Sequence, residues 1–104
     1  MPAWVSEHSE PVRKRNLFEK RLRRLQAAVK AGESATHVAR EAENPRLAAL
    51  SLIKAKRALI REYPQRDPHG RQSRNLHAEE QRWLALDAVA ILEEYAQPDV
   101  PASL

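Results

Sequence analysis

The apolar residues of this 104-residue chain recur every three or four positions, which is the spacing of one face of an α-helix. Phe18, Leu22, Leu25 and Val29 form the clearest stripe of this kind. No segment alternates apolar and polar residues with the period of two that a half-buried β-strand shows, and only two residues are glycine. The sequence therefore predicts an all-α protein of three to four helices, arranged as a helical hairpin or bundle.

Proline, glycine and capping residues divide the chain into segments. Gly32 is a candidate helix stop, Ser34 suits a helix N-cap, and Asn44 followed by Pro45 has the pattern of an N-cap with proline in the first helical position. The sequence predicts a flexible N-terminus over 1–11, followed by a basic helical region over 12–63. This region is expected to contain helices at about 12–31, 35–42 and 45–63. A linker over 64–74, an acidic and apolar C-terminal helix over 75–97, and a tail over 98–104 complete the predicted organisation.

The helices at 45–63 and 75–97 carry apolar side chains on more than one side. A helix that is apolar all round has to be covered on both sides, and a few short helices can hardly cover two such segments. We therefore expect a homo-oligomer in which a second copy completes the fold; the alternative is that the first helices and the linker provide the cover within one chain. The residues expected at the oligomer interface are Leu47, Leu50, Trp83, Leu84, Val89 and Leu92.

Two charged residues fall on these apolar faces. Lys56 shares a stripe with Leu52 and Leu59, and Asp87 shares one with Trp83. Because an unpaired buried charge is costly, we expect a buried charge pair between Lys56 and Asp87 that fixes the register of the two helices. The alternative for Lys56 is that its stem lies on the core while its ammonium reaches water.

The sequence contains no pattern of catalytic or metal-binding residues. It has no cysteine, its four histidines are not spaced as metal ligands, and two glycines cannot form a glycine-rich phosphate loop. The acidic pairs at 79–80 and 93–94 diverge by about 100° on a helix, which makes them poor acid–base pairs. We expect no enzymatic activity, no cofactor and no metal site.

The start of the chain lacks the pattern of a signal peptide, and the longest nearly uncharged apolar run covers only 83–92. A helix needs roughly 20 apolar residues to span a bilayer. We therefore expect a cytoplasmic protein that does not enter a membrane.

The net charge of +4 is divided unevenly along the chain. Residues 11–74 carry 17 Lys and Arg against 6 Asp and Glu, whereas residues 75–104 carry one against 6. The densest basic cluster falls in the first helix and is opposed only by Glu19. Its members expected to bind nucleic acid are Arg13, Lys14, Arg15, Lys20, Arg21, Arg23 and Arg24.

Such a helix can lay guanidinium and ammonium groups along a phosphate backbone, and these contacts position a protein on DNA without reading its sequence. DNA is therefore the expected partner. The alternatives are a solvated face, an anionic membrane surface, or a protein–protein adaptor or inhibitor that docks an acidic partner, such as a neighbour's C-terminal helix. A helix-turn-helix transcriptional regulator is a third interpretation, although its second helix would be apolar where base-reading groups belong.

The stretches 22–34 (LRRLQAAVKAGES) and 44–59 (NPRLAALSLIKAKRAL) resemble the central helical hairpin of some phage small terminase subunits. The resemblance implies a hairpin that builds a ring, DNA contact on its N-terminal side, and a C-terminal tail that contacts the packaging motor. The separate N-terminal helix-turn-helix domain of that family is missing, so the basic helix would take its place. The resemblance thus implies an oligomeric DNA-packaging protein of phage or mobile-element origin.

Overall fold

The computed structural model describes residues 3–95, with side chains from residue 10 onward. Within this range the chain forms α1 (Ala3–Lys30), α2 (Ala35–Glu62), a short 3₁₀ turn (Pro64–Arg66), α3 (Arg71–Ala85) and α4 (Ala88–Tyr95), with no strand. The predicted all-α fold is confirmed. No helix in this range is long and apolar enough to cross a membrane. The predicted tail at 98–104 lies outside the described residues.

A tight turn joins α1 and α2 into a hairpin, as the predicted stop and cap require. Gly32 has φ +71°, the left-handed conformation that favours glycine. Its N–H donates to the Val29 carbonyl (3.1 Å), and the Glu33 N–H donates to the Ala28 carbonyl (3.2 Å). Ser34 then caps α2, because its Oγ accepts the N–H of His37 at 3.2 Å. The predictions for Gly32 and Ser34 are confirmed.

The apolar stripe of α1 forms the centre of the core. Phe18, Leu22 and Leu25 are fully buried, whereas Val29, at the turn end of the stripe, is 39% exposed. Facing them on α2 are buried small and branched residues, including Ala42 and Ala49. Small side chains at these positions let the two helices approach closely, so the hairpin is the main packing unit of the fold.

Helices α3 and α4 cover one side of the hairpin. Trp83 of α3 is 1% exposed and lies edge-on to Phe18, with ring centroids 5.5 Å apart and planes at 87°. Tyr95 of α4 stacks on the other side of Trp83 at 5.0 Å, and Ile91 is fully buried. The Gln26 side-chain amide donates to the Tyr95 carbonyl at 2.8 Å and fixes the end of α4 to α1. The core is therefore covered from within one chain, which is the alternative that the sequence left open.

Two of the prolines that the sequence places at helix boundaries, Pro11 and Pro45, lie inside helices, whereas Pro64 follows the end of α2 as predicted. Residues 3–11 belong to α1, so the prediction of a flexible N-terminus is wrong for them, and α2 runs without a break through Asn44 and Pro45. A proline inside a helix removes one backbone hydrogen bond. Pro45 is fully buried, and packing along the hairpin offsets that loss. Because no turn separates 35–42 from 45–63, the helix-turn-helix interpretation is wrong for this stretch.

The C-terminal helix is divided in two, and it begins earlier than predicted. Asp67 accepts the backbone N–H groups of Gln72 (3.0 Å) and Ser73 (2.9 Å) and the Ser73 hydroxyl (2.7 Å), which anchors the start of α3 inside the predicted linker. The Ser73 hydroxyl, above all, holds the pKa of Asp67 below its usual value. At the other end of α3 the backbone is extended at Leu86, where Arg46 of α2 donates to the Leu86 carbonyl.

The predicted buried pair of Lys56 and Asp87 is wrong. Asp87 is exposed and caps α4, since its carboxylate accepts the Ala90 N–H at 2.8 Å. Lys56 is half-buried beside Leu59 and takes part in no ion pair among the residues described. Lys56 lines an open groove together with Leu59 and Ile60, which fits the alternative that the sequence left open, a stem on apolar surface with the ammonium near water.

Candidate nucleic-acid interface

The outward face of α1 is basic. At 100° per residue, Lys20, Arg23 and Arg24 lie between about 120° and 160° from Phe18 around the helix axis. All three side chains are exposed. They therefore point away from the core that Phe18 enters, into the solvent around the hairpin.

The members of the basic cluster at the start of the described surface are paired. Arg13 and Lys14 both contact Glu10, the second at 3.9 Å, and Arg15 lies 3.6 Å from Glu19. These are ion pairs within one helix, and the Arg13 and Arg15 side chains are more than half exposed. Such pairs contribute about 0.3–0.5 kcal/mol, so a phosphate group can replace either carboxylate at little cost.

The other members of the cluster have no carboxylate partner within the described part of the chain. This holds for Lys20, Arg21, Arg23 and Arg24. Arg21 differs from the rest because it is half-buried and, like Lys14, lines a shallow groove between α1 and α2. The cluster therefore divides into an outward face and a part that turns toward α2.

The outward face has the dimensions of a short stretch of nucleic acid backbone. Arg13, whose pair with Glu10 is exposed, extends this face: Arg13, Lys20 and Arg24 recur at intervals of seven and four residues, and the eleven steps from Arg13 to Arg24 span about 16 Å of helix. A strand of B-DNA rises about 3.4 Å per nucleotide, so this length matches about five phosphates. Two acidic residues flank this length: Glu10, which pairs with Arg13, and Glu19, which is half-buried and lies 3.6 Å from Arg15.

Two of the four glutamates of helices α3 and α4 form ion pairs within the described part of the chain. Glu80 of α3 pairs with Arg57 of α2 at 2.8 Å. Glu94 of α4 pairs with Arg82, whose guanidinium also donates to the Tyr95 hydroxyl at 2.7 Å. The Arg57–Glu80 pair thus joins the basic half to the acidic half, whereas the Arg82–Glu94 pair lies within the acidic half. Neither pair neutralises Lys20, Arg23 or Arg24 on the outward face of α1.

The residues predicted at an oligomer interface do not form one surface. Trp83 is buried in the core, so its assignment to an external interface is wrong. Leu47, Leu84 and Val89 are 62%, 54% and 61% exposed. Leu50 and Leu84 line one groove, Val89 and Leu92 line a second beside the α1–α2 turn, and Leu47 lines a third.

Two residues of the grooves between α1 and α2 were not predicted as site residues. Leu17, 37% exposed, lies beside Leu47, and Lys54 lies beside Lys14. The sequence carries a signal for this face, because positions 14, 17 and 21 recur at helical spacing next to the core stripe. A single helical stripe was assigned to α1, and this second one falls outside it.

Within residues 10–95 no three histidine, aspartate or glutamate side chains come together as a metal site would require. Comparison of the chain with protein-family models, with curated proteins and with solved structures finds no match. The functional proposal therefore depends on the geometry and charge of the basic surface.

Proposed function

We propose that this protein binds duplex DNA without sequence specificity and holds the phosphate backbone against the outward face of α1. The observation that carries the proposal is the set of exposed side chains Lys20, Arg23 and Arg24, which have no carboxylate partner among the described residues. Lys and Arg side chains that bind the phosphates of DNA release counterions from it, and this release favours binding. Cations that are not already paired with a carboxylate of the protein are available to make these contacts.

Duplex DNA is favoured over a purely solvated face by the arrangement of the charges. A solvated helix surface commonly intersperses acidic and basic residues, whereas residues 20–24 of α1 include four Lys and Arg and no acidic residue. The stretches that resemble phage small terminase subunits form the α1–α2 hairpin, and that resemblance implies DNA contact on its N-terminal side. A role in DNA packaging, in an oligomer, is the biological setting that we propose.

The test is the salt dependence of binding to a random-sequence duplex, measured by fluorescence anisotropy. The double variant Lys20→Gln/Arg23→Gln removes two of the proposed phosphate contacts. We expect weaker binding at every salt concentration, and a slope of log K against log salt that is smaller by about two. Both residues are exposed, so the fold is expected to remain intact.

The matched control is Arg61→Gln/Arg71→Gln, which removes the same charge from exposed positions outside α1, at the end of α2 and the start of α3. It should retain the wild-type slope. Equal losses in the two double variants would mean that only net charge matters, and absence of binding at low salt would overturn the proposal.

A further inference from the structure

A groove runs along the α1–α2 hairpin and is lined by these two helices alone. It consists of two adjoining depressions, of about 310 and 190 Å³, that share Ser51. We name it the hairpin groove. The side chains that determine its chemistry are Lys14, Leu17, Arg21, Leu47, Ser51 and Lys54.

The floor of the hairpin groove is small and its walls are apolar. Ala48, Ser51 and Ala55 of α2 leave room between the helices. Leu17 on one wall and Leu47 on the other are exposed to 37% and 62%. A leucine as exposed as Leu47 gains stability when another apolar surface covers it.

The rim of the hairpin groove is positively charged. Arg21 and Lys54 form no ion pair with any carboxylate among the described residues. The Lys14 ammonium lies 3.9 Å from the Glu10 carboxylate, close to the longest distance at which two such groups count as an ion pair. Among the side chains that the structure describes, Glu10 is the single acidic one that lines either depression, and Arg13 also contacts it. An occupant must therefore combine an apolar stripe with negative charge on both sides of it.

An acidic amphipathic helix has this combination. The α2 positions from Asn44 to Ala58 that line the groove span about 21 Å, the length of a four-turn helix. We propose that the hairpin groove binds an acidic amphipathic helix of a protein partner, with its apolar side chains on Leu17 and Leu47 and its carboxylates at Arg21 and Lys54. This surface is separate from the outward face of α1 that holds DNA.

Charge complementarity favours an acidic helix over two other occupants, a second copy of this chain and a phosphate backbone. A second copy that presented the same groove would bring like charges together, which costs stability at an interface. Helix α4 of a second copy presents Val89 and Glu93 at its surface, but its eight residues span only about 12 Å, little more than half the length of the groove. A phosphate backbone has no apolar surface to cover Leu47.

The test is the binding of a labelled synthetic peptide of about 18 residues, with leucines at helical spacing and glutamates at most other positions, followed by anisotropy. We expect saturable binding that weakens about tenfold with Leu47→Ala. Lys54→Gln should also weaken it and make it less sensitive to salt. The matched control Val89→Ala, at a residue equally exposed but beside the α1–α2 turn, should bind as the wild type does.

Three outcomes would overturn the proposal: no saturable binding, equal binding of a peptide with the same composition in scrambled order, or no effect of Leu47→Ala. Self-association that Leu47→Ala abolishes would assign the hairpin groove to a second copy instead. The variants Lys20→Gln/Arg23→Gln should retain peptide binding, and Leu47→Ala should retain DNA binding. The two proposals can therefore fail independently.

Discussion

At the scale of single residues, aspartate side chains cap the N-termini of helices α3 and α4. Asp87 accepts the Ala90 N–H at the start of α4, and Asp67 accepts two N–H groups at the start of α3. The first N–H groups of a helix have no partner within the helix, and a carboxylate there satisfies one of them and favours the positive end of the helix dipole. Asp87 therefore needs no cation opposite it, and Lys56 needs no anion.

The role of Asp87 can be separated from ion pairing by two substitutions. Asp87→Ala should lower the free energy of unfolding by about 1 kcal/mol, whereas Asp87→Asn should retain most of the stability because asparagine caps a helix equally well. Urea denaturation measures both changes. Equal losses in the two variants, or disappearance of the alanine effect in a Lys56→Met background, would restore the ion pair as the explanation.

At the scale of elements, helices α3 and α4 are held to the hairpin by a small number of long-range contacts. Trp83 packs between Phe18 of α1 and Tyr95 of α4, and Arg57 of α2 pairs with Glu80 of α3. Trp83 and Leu84 are neighbours in sequence but lie in opposite environments, since Trp83 is 1% exposed and Leu84 is 54% exposed. The side chains of α3 that face the hairpin thus hold this helix in place.

Alanine at these two adjacent positions should have very different consequences. Trp83→Ala should lower the free energy of unfolding by about 3 to 5 kcal/mol, because it leaves a cavity between three helices. Leu84→Ala should change it by only about 0.5 kcal/mol. Chemical denaturation followed by far-UV circular dichroism gives both values, and losses of similar size would mean that α3 packs in another orientation.

At the scale of the whole molecule, one chain encloses its own core. Thirteen apolar residues are buried among those described, from all four helices, and no charged residue is buried with them. Apolar faces that one chain cannot cover predict an oligomer, but Trp83 and Ile91 are both buried within the single chain, Trp83 against Phe18 of α1 and Tyr95 of α4. Self-association through the exposed leucines and Val89 stays a prediction.

The native mass in solution tests that prediction. Twice the chain mass of 11.9 kDa, or more, would support assembly, and Leu84→Glu would then be expected to weaken it, because a charge would be buried at the interface without a partner. A mass of 11.9 kDa across a wide range of concentrations would contradict it, and a ring like that of the small terminase subunits would then be excluded.

The features that the sequence alone determined are local ones. Helical spacing, few glycines and the Gly32–Ser34 turn suffice for the helical class, for the hairpin and for the buried stripe at Phe18, Leu22 and Leu25, because each depends on residues at most a few turns apart. The basic cluster of α1 could also be located in this way. Its division into paired, outward and groove-lining cations could not, because a helical wheel does not show which side α2 occupies.

Tertiary structure decided the points at which local preferences are weak. A cap or a proline changes helix stability by about 1 to 3 kcal/mol, which is comparable to the burial of one large side chain. Packing along the hairpin therefore carries α2 through Pro45, and an extended Leu86 lets α4 fold back so that Tyr95 reaches Trp83. The contact of Phe18 with Trp83 joins residues far apart in the sequence, and no periodicity within either helix can predict it.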